Sequence, residues 1–142
     1  FHKKHSKSKL YILGKGLLKD DLQSLIDSLN LKDSVYLMGQ LENPFPFMKK
    51  CDCFVLSSHY EGQPMVLLEA MTLGMKIVAT DIVANRTVLE NGKYGYLVED
   101  SITGLEEGLN YIAENPDYTP KKFHYLEYNK EAMNSFIKVL KG

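Results

Sequence analysis

Two carboxylates eight residues apart, Glu61 and Glu69, bracket a point where one apolar run stops at a glycine and a proline and another begins. The stretch SSHYEGQPMVLLEAMTLGMKIVATD, residues 57–81, reads as a strand end, a loop, and a helix over 64–73 with Pro64 near its first position and Gly74 past its end. The first amides of a helix have no intrahelical acceptor and lie at the positive end of its dipole. Gln63, Met65 and Val66 can therefore present N–H groups to an anion such as a phosphate, and Gly62 lets the backbone approach it closely. Glu69 would lie about 7 Å up the helix axis from Pro64, roughly a phosphate-to-sugar distance within a nucleotide. A carboxylate there can accept two hydrogen bonds from the vicinal hydroxyls of a ribose. Glu61, on the loop, would meet the hydroxyls of whatever sugar the phosphates carry. The plainer alternative is that Glu61 caps the helix and Glu69 is a solvent-facing helix residue, and Glu69 taken alone reads that way.

These residues need a scaffold that ends strands at loops and starts helices from them, and the chain has that rhythm. KLYILG (9–14), SVYLMG (34–39), CFVLSS (53–58), KIVAT (76–80) and GYLVED (95–100) read as strands. KDDLQSLIDSLNL (19–31) spaces Leu22, Leu25, Ile26 and Leu29 for a helix with Asp20 and Asp21 in its first turn. NPFPFMKKC is a short helix or turn, ITGLEEGLNYIAEN (102–115) a helix, and YLEYNKEAMNSFIKVL (125–140) a terminal helix with Met133, Phe136, Ile137 and Leu140 as its apolar stripe. FHKKHSKSK at the start reads as the solvated last turn of a preceding helix rather than an interaction arm. Strands with little polar alternation, separated by helices, imply a doubly wound, Rossmann-like parallel α/β sheet, expected here as one layer. Such sheets bind ligands beyond the carboxyl ends of their strands. The expected pocket thus gathers residues 14–16, 39–41, 57–66 and 80–86.

The composition is that of an ordinary globular domain of 142 residues, 44% apolar and 25% charged. A net charge of −1 gives no general attraction to nucleic acid or anionic membrane, so an anionic ligand must be held by local geometry. The two cysteines, Cys51 and Cys53, lack a zinc spacing and read as buried free thiols in a reducing cytosol. No apolar run approaches the ~20 residues that span a bilayer. His59 and His124 have no visible partner for acid–base work, and Lys15 reads equally as a phosphate contact or a solvated loop lysine.

With both acids and their loop in view, the stretch resembles the Glu-x7-Glu signature of retaining glycosyltransferases of family four, GT-B enzymes, with Glu61 and Glu69 as its acids. The similarity covers most of the chain: KLYILGKGLLKDDLQSLIDSLNLKDSVYLMGQLENPFPFMKKCDCFVLSSHYEG and DIVANRTVLENGKYGYLVEDS match the donor-binding domain in order and spacing. NPFPFMKKCD and NRTVLENGKYGYLVEDS most resemble the branch that builds bacterial cell-surface polymers such as teichoic acids. The resemblance implies that Glu69 binds the ribose of a nucleotide sugar, UDP-linked, and that Glu61 contacts the transferred sugar. It implies that Gly62, Gln63, Pro64, Met65 and Val66 serve the diphosphate, and that Gly14, Gly16, Met38 and Gly39 complete the donor site, the loop after Gly39 facing the base. No metal or separate cofactor is implied. The acceptor, a glycan or polymer, would reach the site through an N-terminal domain, with the enzyme cytoplasmic and peripheral to the inner face of the cell membrane.

The family's Arg and Lys from the first strand-loop-helix unit have no counterpart in residues 1–9, so residues 1–142 read as a donor domain without that unit and without the acceptor domain. Ala84 stands where many relatives have glycine. A glycoside hydrolase reading would need its carboxyls about 5 Å apart, which an eight-residue separation across a turn and helix meets only by accident. A non-catalytic nucleotide-sugar-binding module is the alternative from outside the enzymes.

Overall fold

The computed structural model describes residues 1–141. Its elements run β1 (Leu10–Leu13), α1 (Lys19–Ser28), β2 (Val35–Gly39), α2 (Phe45–Met48), β3 (Cys53–Leu56), α3 (Met65–Thr72), β4 (Lys76–Thr80), α4 (Val83–Val88), β5 (Tyr96–Val98), α5 (Ile102–Glu114) and α6 (Tyr125–Lys141). The α/β alternation read from the sequence is present, and every strand pair is parallel. The strands fall into two sheets, β1-β2 and β3-β4-β5, instead of the single layer expected, because β1 pairs with β2 alone and β3 with β4 alone. The chain divides accordingly into two compact units, Phe1–Pro46 and a second from Phe47 onward.

In the first unit, Leu10, Tyr11 and Ile12 register with Val35, Tyr36 and Leu37, after which the register slips so that Leu13 meets Gly39. Gly14 N–H donates to the Gly39 carbonyl at 2.8 Å, closing the carboxyl end of the pair. The segment before β1 is two successive turns, with His5 N–H bonded to Phe1 O at 3.0 Å and Ser8 N–H to His5 O at 2.9 Å. Helix α1 buries Ile26, and its Asp20 and Asp21 occupy the first turn.

The second unit is organised around β4, whose residues 77–80 are all buried. Side chains alternate across a strand. Ile77 and Ala79 therefore join Leu67, Ala70 and Met71 of α3 and Leu89 after α4 on one face, while Val78 meets Val98 and Ile112 of α5 on the other. Both faces of the sheet are thereby covered, as the near-continuous apolar strands require. Helix α4 was not read from the sequence; six residues with a central asparagine carry too little periodicity to stand out. Helix α5 starts at Ser101, whose hydroxyl accepts Gly104 N–H at 3.0 Å. It presses onto the sheet through Gly104 and Gly108. A Cβ on Gly108 would stand 2.5 Å from Val98 Cγ1 and 2.9 Å from Val78 Cγ1, and one on Gly104 would run into the Glu99 carbonyl. The stripe read on α6 is there, but Met133, Phe136 and Leu140 are exposed and Ile137 is more than a third exposed. Among the described residues no helix is long and apolar enough to cross a membrane.

Both cysteines are free and partly buried. Burial raises the Cys53 thiol from 9.0 to about 11, against smaller opposing effects of the Val78 backbone and Lys76, and burial also raises Cys51. The folded-state value lies above the unfolded one, so this thiol's contribution to stability is complete below pH 9 and is lost as pH climbs toward 11.

Two predictions follow from the packing. In a Cys51→Ser background, alkylation of Cys53 at pH 8 should be about a hundredfold slower than in the unfolded chain, because burial keeps the thiol protonated up to about 11. Its rate should still be rising at pH 10, and a plateau near pH 9 would contradict the assignment. In an open helix position, glycine to alanine gains roughly 0.5–1 kcal/mol. At Gly108 the added methyl meets stiff valines, and overpacking of this kind costs typically about 1–3 kcal/mol. Gly108→Ala should therefore lower the urea midpoint with an unchanged m-value, and a raised midpoint would show that α5 has room to move outward.

Candidate functional site

Parallel pairing sets the carboxyl ends of β3 and β4 side by side, with Leu56 against Ala79. The chain leaving β3 turns through residues 57–63 into α3, and the chain leaving β4 turns into α4. At the mouth of α3 the backbone of Pro64 has φ −78° and ψ 77°, and Met65 N–H donates to the Gln63 carbonyl at 2.9 Å. These are the marks of an inverse γ-turn. The Met65 amide is consequently committed within the turn, contrary to its expected availability to an anion, while Leu67 N–H takes the Pro64 carbonyl at 3.0 Å. The amides of Gln63 and Val66 have no acceptor among the described residues. A Cβ on Gly62 would meet nothing within 4 Å, so the loop backbone faces open space there.

Three bonds hold the loop, one from the end of β4, one from beyond β5 and one within the loop itself. Thr80 Oγ1, at the end of β4, donates to the Ser58 carbonyl at 2.5 Å. Ser58 Oγ donates to Glu61 Oε1 at 2.7 Å. His59 Nδ1 lies 2.7 Å from Asp100 Oδ1, past the end of β5. His59 thus has the partner that the sequence did not reveal, 41 residues away and brought close only by the fold. Behind Thr80, Asn85 Nδ2 donates to the Thr80 carbonyl at 2.9 Å and to Thr80 Oγ1 at 3.3 Å. Thr80 and Asn85 are both 0% exposed, and Asn85 Oδ1 has no hydrogen-bond partner among the described residues. A buried acceptor left unpaired costs about 1–3 kcal/mol.

Glu61 is half-buried with Oε1 engaged by Ser58 and Oε2 free of partners among the described residues, so it is neither a cap nor a loose surface group. Glu69 lies one turn into α3, partly buried, with no ion pair or hydrogen bond to either oxygen among the described residues. Both acids therefore keep acceptor capacity at the surface of this unit.

A cavity of about 630 Å³ opens beside the loop, lined by Tyr60, Glu61, Gly62, Gln63 and Pro64, by Val83, Ala84, Thr87, Val88 and Glu90 of the α4 region, and by Phe123 and Tyr128. That volume lies within the usual range of small-molecule sites. Met65, Val66 and Glu69 lie on α3 outside this lining. Gly14, Gly16, Met38 and Gly39 belong to the first unit, where Gly14 and Gly39 are joined by the bond closing β1 and β2; Lys15 is exposed there. Phe123 and Tyr128 were not anticipated. Phe123 stacks edge-on to Tyr94 at 5.5 Å and touches Tyr128 at 5.4 Å, a placement of the segment before α6 that no local pattern encodes. Among the described residues no group of three or more His, Cys, Asp or Glu is placed to hold a metal ion.

The family profile described as Glycosyl transferases group 1 matches residues 1–133. The chain is 38% identical over 109 residues to the N-acetylgalactosamine-N,N'-diacetylbacillosaminyl-diphospho-undecaprenol 4-alpha-N-acetylgalactosaminyltransferase of Campylobacter jejuni, covering 75% of this chain and 30% of that protein. It is 34% identical over 115 residues to the poly(ribitol-phosphate) alpha-N-acetylglucosaminyltransferase of Staphylococcus aureus, covering 80% and 23%. Among solved structures, S. aureus TarM in complex with UDP, alpha-GlcNAc-glycerol and Fondaparinux superposes with a TM-score of 0.68 at 30% identity, over 77% of this chain and 23% of that one. The chain spans less than a third of the length of these proteins.

Proposed function

This chain belongs to the glycosyl transferases group 1 family, and on that premise we propose that it is the donor-binding part of a retaining glycosyltransferase using a nucleoside diphosphate sugar. The family is enzymatic, and the named relatives above are glycosyltransferases. The observation that carries the reading is the junction at the end of β3, where Glu61 on the loop and Glu69 on α3 flank a helix mouth with two unclaimed amides.

In this reading the diphosphate lies at the mouth of α3, against the amides of Gln63 and Val66 and over the open backbone of Gly62, with Pro64 shaping the turn and Met65 holding it. The helix dipole favours negative charge at that end. Glu69, with both oxygens available, accepts the two ribose hydroxyls. Glu61 offers Oε2 to the sugar being transferred and keeps it oriented as the bond to the diphosphate breaks. Gly14, Gly16, Met38 and Gly39 serve the rest of the donor. The nucleotide is UDP, a choice supported by the UDP in the TarM complex, and no further cofactor enters the scheme.

In the same reading the acceptor, a glycan or cell-surface polymer, is bound by a separate acceptor domain, and an Arg–Lys pair of the donor domain's first strand-loop-helix unit neutralises the leaving diphosphate. The likeness to a poly(ribitol-phosphate) glycosyltransferase supports a place in teichoic-acid-type synthesis. Such a reaction belongs at the cytoplasmic face of the membrane, the enzyme being peripheral to it.

The roles of the two acids are separable. In the full-length protein, Glu69→Ala should weaken UDP binding by roughly 1.5–3 kcal/mol for each charge-assisted hydrogen bond lost. Glu61→Ala should leave UDP affinity nearly intact while lowering the rate with the intact donor. Calorimetric titration with UDP, with circular dichroism to verify folding, and turnover assays measure both; equal losses of UDP affinity in the two variants would defeat the assignment. The 142-residue chain alone should bind UDP weakly and transfer no sugar, since chemistry requires closure against an acceptor domain. Transfer by the isolated chain would show that the machinery lies elsewhere.

A further inference from the structure

We propose that Thr80 and Asn85 are positioning residues that orient the Glu61 carboxylate through Ser58, an inference that rests on Glu61 reading the transferred sugar. The hydrogen bonds have a forced direction. Asn85 Nδ2 can only donate, and it donates to both the carbonyl and the hydroxyl of Thr80. The reversed amide would set Oδ1 against that carbonyl, acceptor against acceptor. The Thr80 hydroxyl is thereby made an acceptor from Asn85, and its single proton is spent on the Ser58 carbonyl at 2.5 Å. That bond fixes the Ser58 backbone at the sheet edge. The Ser58 hydroxyl then reaches Glu61 Oε1 at 2.7 Å and leaves Oε2 for a ligand.

Burial separates these roles from contact with substrate. Thr80 and Asn85 are 0% exposed, so they act on Glu61 only through Ser58. The unpaired Asn85 Oδ1 argues that the amide is held for its donors and not for packing, since an apolar side chain in that place would leave no orphaned oxygen. The chain of bonds also spans three elements: the α4 turn, the end of β4 and the loop after β3.

The test uses the full-length protein with UDP and UDP-N-acetylglucosamine as probes. Thr80→Val keeps the shape and removes the hydroxyl, Thr80→Ser restores it, and Ser58→Ala removes only the donor to Glu61. Hydrogen exchange of residues 57–63 should quicken about tenfold in Thr80→Val, remain within twofold of wild type in Thr80→Ser and Ser58→Ala, and be unchanged over β4 and α5 in all three. Thr80→Val and Ser58→Ala should each weaken binding of the sugar conjugate about tenfold with UDP affinity within twofold of wild type, and neither should weaken it further in a Glu61→Gln background. Unchanged loop exchange in Thr80→Val, a Thr80→Ser that behaves like it, or equal loss of both ligands overturns the proposal. Should Thr80→Val open β4 as a whole, Ser58→Ala decides: a sugar-specific loss supports the relay and none overturns it. A Glu61→Gln protein with wild-type affinity for the conjugate defeats the underlying reading of Glu61 instead, and the exchange data then still decide whether Thr80 positions the loop.

Discussion

The burial of β4 on both faces is the constraint on which the second unit depends. Its residues 77–79 alternate between the cluster under α3 and α4 and the cluster under α5, so neither face can shift without opening the other. A strand pinned in this way ends at a fixed place, and Thr80 stands at that end. From there one hydroxyl reaches across to the neighbouring strand's exit and ties down the loop carrying Glu61. The apolar core and the polar site are therefore one mechanical system, in which packing supplies the rigidity and a few buried hydrogen bonds transmit it to the surface.

The reverse face shows the same economy. Helix α5 can lie close to Val78 and Val98 because Gly104 and Gly108 remove the side chains that would hold it away. Close approach lets the short strand β5 be covered, and it brings Asp100 to the carboxyl edge where His59 meets it. Two loops that leave different strands are in this way joined at their outer ends.

Much of this was legible in the residues themselves. The apolar strands, Pro64 before α3 and Gly74 after it are local signals, and each marks a boundary the fold respects. What escaped notice depends on partners far apart in the chain or on backbone detail. Helix α4 is too short for a period to emerge. The capture of the Met65 amide follows from one ψ angle at Pro64, which no residue type announces. The role of Asn85 rests on its bonds to the carbonyl and hydroxyl of Thr80, a pairing that no residue spacing encodes. The separation into two sheets reflects which strands pair, and apolar runs specify strands but not neighbours. The roles assigned to the donor-site residues came from the Glu-x7-Glu resemblance, which geometry of this kind frames without replacing.

The bond from Ser58 to Glu61 has a stereochemical consequence. A carboxylate with both oxygens open can chelate two adjacent hydroxyls and so reads their relative configuration. On the proposed reading Glu61, whose Oε1 is engaged by Ser58, reaches the sugar through Oε2 in monodentate fashion. A grip of that denticity fixes the position of one carbon and is tolerant of inversion at its neighbour. On the proposed reading, discrimination between epimeric donors is then left to the walls of the cavity, where Val83, Ala84 and Val88 offer shape without polarity. Related chains that keep both acids and change those three positions would be free to diverge in the sugar they accept.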